Sequence, residues 1–221
     1  MPLVLALLAL LAALVAARER ARRRRPARAA IISPPRSTVI SRDGAVRSVQ
    51  AADLTLDRTE LDRLWSPENL ENLARTYWRF LTRVTLGLIR VSYGTDERSV
   101  MLLGRPLTLL RFGGPEYILD GDHGKVTWRI RDGLLVARSG RGSGFLALDV
   151  RRLGERDGKA CVRIEVEVAN FYPSIAVGFS RPVYELTQNS VHVLVTHAFL
   201  RSLAKLDLAT SRVGSLRSDQ P

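Results

Sequence analysis

Between residues 125 and 171, apolar and polar side chains alternate with a period of two, interrupted by tight turns. Val126, Trp128 and Ile130 share one face, with Thr127, Arg129 and Arg131 on the other. Asp132-Gly133 turns the chain into a short apolar run at 134–137. Leu146, Leu148 and Val150 mark a further strand, and Asp157-Gly158 a further turn. Val162, Ile164, Val166 and Val168, set against Arg163, Glu165 and Glu167, complete the pattern. This is the signature of an antiparallel meander with one buried and one wet face. Upstream, strands are predicted over 99–103, 107–112 and 117–119, with Gly104-Arg-Pro106 and Gly113-Gly114-Pro115 as breaks.

The pattern shifts to a helical period on either side of the meander. Residues 53–65 form a short helical or irregular lead-in. Ser66 then suits an N-cap, Pro67 the first helical position, and Glu68 and Glu71 the positive end of the dipole. Trp65 and Leu70 stand where a hydrophobic staple would join them. Leu70, Leu73, Tyr77, Phe80, Leu81 and Val84 form one stripe, and Glu71, Arg75, Arg79 and Arg83 the opposite one. Residues 180–206 fit both a strand (Val191, Val193, Val195) and a helix apolar round most of its circumference. The helix is preferred, because a curved sheet can bury such a helix. Residues 207–221 read as a polar tail.

Residues 1–17 contain no charged side chain. As a helix they would extend about 25 Å, slightly short of a ~30 Å hydrocarbon core, a deficit that flanking Arg side chains can cover by snorkelling. A cleaved signal peptide is the competing reading, but no basic stretch precedes the apolar run. Arg18, Arg20, Arg22, Arg23, Arg24, Arg25 and Arg28 follow it instead. Cations stay on the cytoplasmic side, so the expectation is a single-pass anchor at 1–17, amino terminus outside, and a cytoplasmic globular domain. The same seven Arg residues are the predicted contacts to anionic lipid at the membrane surface. Residues 18–45, rich in Arg, Pro and Ser, read as a linker, and residues 46–206 as one α+β domain.

This placement changes the meaning of the net charge of +12 over 221 residues. Residues 1–50 hold ten Arg against Glu19 and Asp43, so most of the excess belongs to one short segment. No aromatic residue interleaves the Arg run to stack on bases, and nucleic acid is not an expected partner. Cys161 is the only cysteine, which removes any intrachain disulfide.

The candidate chemistry is thin. Asp120-Gly-Asp-His-Gly124 begins like a calcium loop, but its twelfth position is Arg131 rather than a bidentate Glu, so a turn is the better reading. His192 and His197 would point ~140° apart on a helix and cannot share a metal, and His123 stands alone. Gly140-Arg-Gly-Ser-Gly144 precedes a strand, so no helix amino terminus is there to hold a phosphate, and a loose hairpin connection is expected. Cys161 lies on a polar strand face beside Arg163. Glu165 and Glu167, about 7 Å apart, are read as solvent-facing charges. No catalytic residue, cofactor or metal is assigned.

An amino-terminal helix, a long antiparallel meander and a carboxy-terminal apolar helix make an α+β architecture with the sheet wrapped on a helix. Over residues 50–206 this order resembles the helix-grip arrangement of START-like and polyketide-cyclase-like domains. A closed β-barrel with flanking helices is the alternative. The functional expectation is a membrane-tethered domain that binds an apolar ligand or lipid, or docks a protein partner at the inner leaflet. The alternative is a cyclase- or hydrolase-like enzyme on a lipophilic substrate. That enzyme would need groups such as Tyr184, His192, His197 and Asp149 to converge inside a cavity.

Overall fold

The computed structural model describes residues 25–32, 37–94, 96–103, 107–173 and 190–210. The proposed anchor at 1–17, Arg18 to Arg24, Tyr184, the side chain of His192 and the tail from 211 lie outside the described residues. No described helix is long and apolar enough to cross a membrane.

The element order is β1 (Ala27–Ile32), β2 (Thr38–Ile40), β3 (Val46–Leu56), α1 (Arg58–Leu64), α2 (Pro67–Val84), β4 (Ile89–Tyr93), β5 (Glu97–Leu102), β6 (Thr108–Asp120), β7 (His123–Asp132), β8 (Phe145–Arg156), β9 (Lys159–Phe171) and α3 (Ser190–Ser202). All nine strands form one antiparallel sheet in the order β1-β3-β9-β8-β7-β6-β5-β4, with β2 also paired to β3. Neither end of that path pairs with the other, so the sheet is open and the closed-barrel alternative falls away. The antiparallel sheet with a carboxy-terminal helix packed on it is present as expected, with a difference in how many helices the sheet covers. Both α2 and α3 fill the concave face, α2 against β4 and β7 and α3 against β1 and β3.

Where the signal is local, structure follows pattern. The side-chain oxygen of Ser66 accepts from the Asn69 N–H at 3.2 Å, which caps α2 as expected. At the β8–β9 hairpin, Arg156 pairs with Lys159 and both central residues have positive φ, Asp157 at 52° and Gly158 at 70°. A two-residue turn of this hand matches the twist of the flanking strands.

Non-local pairing produced the differences. The stretch read as a linker carries β1 and β2, both edge strands whose backbone bonds go to β3. Both are too short to show a clear alternation, and only the partner strand reveals them. Gly113-Gly114-Pro115 does not break the sheet but shifts the register inside a single strand, β6, between Phe112 and Pro115. Residues 134–137 are not a strand. Val136 makes one bridge to Pro173 before a 3-10 turn, Arg138–Gly140. The lead-in at 53–65 is the end of β3 followed by α1. α3 is helical from Ser190, which resolves the strand-or-helix ambiguity for those residues in favour of helix. At 207–210 the chain is not a loose tail: Ala209 is buried and its N–H donates to the Thr76 hydroxyl at 2.8 Å.

Candidate functional site

The inner face of the sheet is divided into two halves with different fillings. One half is packed by aromatic rings. Trp78 of α2 meets Trp128, Phe112 and Tyr77 at centroid distances of 5.1, 5.3 and 5.1 Å, and Phe199 of α3 meets Tyr77 at 5.1 Å. Three of these contacts are edge-to-face and the Trp78–Phe112 pair is tilted, so the rings pack on one another. The other half is lined by branched aliphatic side chains and holds a cavity of about 100 Å³.

That cavity is built from every layer of the fold. β3 supplies Leu54 and Leu56, β8 and β9 supply Val150, Val162 and Ile164, and α1 and α2 supply Leu61, Leu64, Leu70 and Leu73. Leu203, Leu206 and Leu208 close it from the segment after α3. Among the described lining residues, Ser66 and Asn69 carry polar side chains, beside the indole of Trp65. Ser66 and Asn69 are both engaged with backbone: Ser66 caps α2, and the Asn69 amide donates to the Arg63 carbonyl at 3.4 Å. Leu64, Trp65, Leu206 and Leu208 are half-buried and form the rim, while Leu54, Leu70 and Ile164 are buried in the floor. Arg152 lies 4.5 Å over the Trp65 ring and bonds Asp62 at 2.8 Å, pinning that side of the rim.

One glycine helps keep the cavity hollow. Gly124 pairs with Leu119 in the β6–β7 hairpin, and a Cβ there would sit 3.1 Å from Leu119 Cδ1 and 3.6 Å from Leu70 Cδ1. Its absent side chain points into the space between sheet and α2. The motif Asp120-Gly-Asp-His-Gly124 is therefore a hairpin turn at Gly121 and Asp122 followed by a cavity-lining strand residue.

The remaining sequence candidates are dispersed. Asp149 and His197, two of the groups an enzyme would need to bring together, face opposite sides of the sheet. Asp149 belongs to the outer face, where it accepts from His123 Nε2 at 3.0 Å and Arg151 Nε at 2.9 Å. Burial pushes the Asp149 carboxyl up, but these hydrogen bonds together outweigh it and hold the group below its ordinary range. Glu167 on the same face pairs with Arg47 at 2.8 Å, and Asp53 takes a two-pronged bond from Arg163. Cys161 is buried on that face, and desolvation raises its thiol, the reverse of what a nucleophile needs.

His197 faces the interior. Its Nε2 donates to Gln50 Oε1 at 2.8 Å, and Gln50 and Ser48 continue the chain of contacts to Thr38. These inward residues of β3 are polar at one end, whereas Leu54 and Leu56 at the other end line the cavity. Among the described residues no group of acidic, His or Cys side chains is placed to hold a metal. Gly140-Arg-Gly-Ser-Gly144 is not a loose connection. Gly140 is packed so closely on Tyr172 that a Cβ would lie 2.4 Å from the tyrosine's own, and Ser143 Oγ donates to the Gly140 carbonyl. Of the predicted membrane-surface residues, Arg25 and Arg28 are described, and both are exposed.

The sequence also placed Glu71 on a wet face with Arg75. Glu71 is instead buried where β6 approaches α2, close enough to oppose ionisation of Tyr117. Arg75 lies 3.9 Å over the Tyr93 ring.

No family model matches the chain, and no curated protein matches it. Solved structures with a related arrangement include Ara h 8.0201, at 11% identity over 73% of this chain and 99% of that one, with a TM-score of 0.30. Norcoclaurine synthase from Thalictrum flavum, in complex with dopamine and hydroxybenzaldehyde, aligns at 12% identity over 81% and 98%, with a TM-score of 0.33. Human STARD10 aligns at 9% identity over 76% and 72%, with a TM-score of 0.30. Likenesses this distant transfer no residue role.

Proposed function

We propose that this protein is a membrane-tethered binding domain that takes the hydrocarbon arm of an apolar or amphipathic ligand into the aliphatic cavity. The observation that carries the reading is the cavity's lining: mostly aliphatic, with Trp65, Ser66 and Asn69 on one side and no charged residue among the described lining to solvate a head. Its size narrows the ligand. Pockets for whole drug-sized molecules run from about 300 Å³, whereas an engineered apolar cavity of roughly 150 Å³ accepts benzene. A space of about 100 Å³ suits the end of an acyl chain or a small ring, with the remainder of the ligand past the Trp65–Leu208 rim.

The point where the chain enters the fold supports the tether. Ala27, at the start of β1, pairs with the cavity residue Leu56. The exposed Arg25 therefore leaves the domain at the cavity's end, where residues 18–24 would join it to an anchor at 1–17. The enzyme alternative has less support: Ser66 and Asn69 are the polar side chains at the cavity wall, and neither is titratable.

The test is native mass spectrometry of the full chain released from nanodiscs, with organic extraction of whatever travels with it. A co-purifying apolar molecule is expected with the natural sequence. Gly124→Val projects two methyl groups into the space. It should remove the bound molecule, while the chain still unfolds in one cooperative transition because only the flexible end of Leu119 has to give way to the new Cβ. Retention of the molecule by Gly124→Val would sink the assignment of the cavity.

A further inference from the structure

At the end of the sheet opposite the cavity, three neighbouring loops carry exposed leucines. The turn after α2 presents Leu86 and Leu88, the β5–β6 connection Leu103 and Leu107, and the segment after β7 Leu134. Backbone hydrogen bonds join these loops side by side. Leu103 N–H donates to the Leu88 carbonyl at 2.7 Å, Leu102 to Leu107 at 2.9 Å, and Leu134 to Thr108 at 3.1 Å. The leucines thus form one apolar tip rather than isolated exposures, and an exposed patch of this kind marks an interaction site.

The backbone there is strained at two of the exposed leucines. Leu86 and Leu103 have φ of 53° and 57°, left-handed values that disfavour a bulky side chain and that Gly or Asn would adopt more cheaply. Leu86 is 93% exposed, so neither packing nor backbone preference explains a leucine at that position. Strain retained at an exposed apolar residue points to function.

The charge around the tip selects the partner. Residues 84–88 and 133–137 contain no acid. Arg83 and Arg90 flank the α2 turn, both exposed and without an ion pair to a described residue. Asp132, the acid beside the tip, is bonded to Arg111 at 2.9 Å. Apolar side chains with the exposed guanidinium groups of Arg83 and Arg90 beside them complement an interface of acyl chains beneath anionic headgroups.

We infer that this tip is a docking surface for an anionic lipid bilayer. It is independent of residues 1–17, because β6 alone separates the tip from the cavity end by about 40 Å of extended chain. The test uses the purified full chain with Leu88→Cys carrying a polarity-sensitive dye. Cys161, the other thiol, is 3% exposed, and the unsubstituted chain controls for its labelling. Vesicles of equal parts phosphatidylglycerol and phosphatidylcholine should shift the dye emission to the blue, and added salt should weaken the response. Arg83→Glu with Arg90→Glu should weaken it about tenfold or more, from roughly 1 kcal/mol per basic residue near an anionic surface.

Leu86→Asn with Leu103→Asn should abolish the response with the melting temperature unchanged or raised, which separates a lost contact from a lost fold. A chain that floats with the vesicles while its dye stays in water would overturn the inference without touching the anchor. So would a shift that grows with protein concentration in the absence of lipid, since a second copy would then be the occupant.

Discussion

His197 shows what partial burial does to a single titratable residue. Burial lowers its affinity for a proton, and Arg201 one turn on lowers it further. The folded state therefore binds fewer protons than the unfolded chain once the pH falls below the ordinary histidine value of 6.5. A depressed folded value means the contribution is complete above pH 6.5 and is lost as the pH falls toward the folded value. Denaturant midpoints measured between pH 7 and pH 5 should decline in the natural chain. In His197→Gln that decline should be shallower, because glutamine keeps a donor for Gln50 but does not titrate. Gly124 is the counterpart from the cavity: its effect comes from what is missing. Neither role was legible in the sequence. His197 was one of several isolated histidines, and Gly124 belonged to what looked like a turn, because both roles depend on neighbours far along the chain.

Among the elements, α2 is the one whose local code was most complete. Ser66, Pro67 and the apolar stripe specify its start and its buried face, and Leu70, Leu73, Tyr77 and Trp78 all lie in the core. Ser66→Ala removes the oxygen that accepts from Asn69 and should cost about 1 kcal/mol, read as a lower melting temperature. Because Ser66 and Asn69 also line the cavity, the same variant should loosen the rim and speed ligand release. The stripe was nonetheless incomplete as a guide, since Glu71 sits on the periodic wet face yet is buried near Tyr117 of β6. β1 and β2 show the converse. Segments this short carry too little periodicity to declare themselves, and β3 makes them strands by offering its open edge.

On the scale of the whole molecule, the cavity lies at the end where the chain enters and the leucine tip at the end where β5 turns into β6. The orientation proposed from the Arg collar has a direct check. A reporter fused after Pro221 should be active only in the cytoplasm, and activity on the far side of the membrane would reverse the address. What the sequence determined by itself is everything written in local periodicity: the β8–β9 pair and its Asp-Gly turn, the capped helix α2, and the uncharged lead-in with its Arg collar. Tertiary structure alone decided that the sheet stays open, that two helices rather than one fill it, and that aromatic rings pack one half while an aliphatic hollow remains in the other. The reason is physical. Turns, caps and amphipathic faces are set by residues within a few positions of one another, whereas the space left between packed layers depends on how side chains distant in the chain fit together.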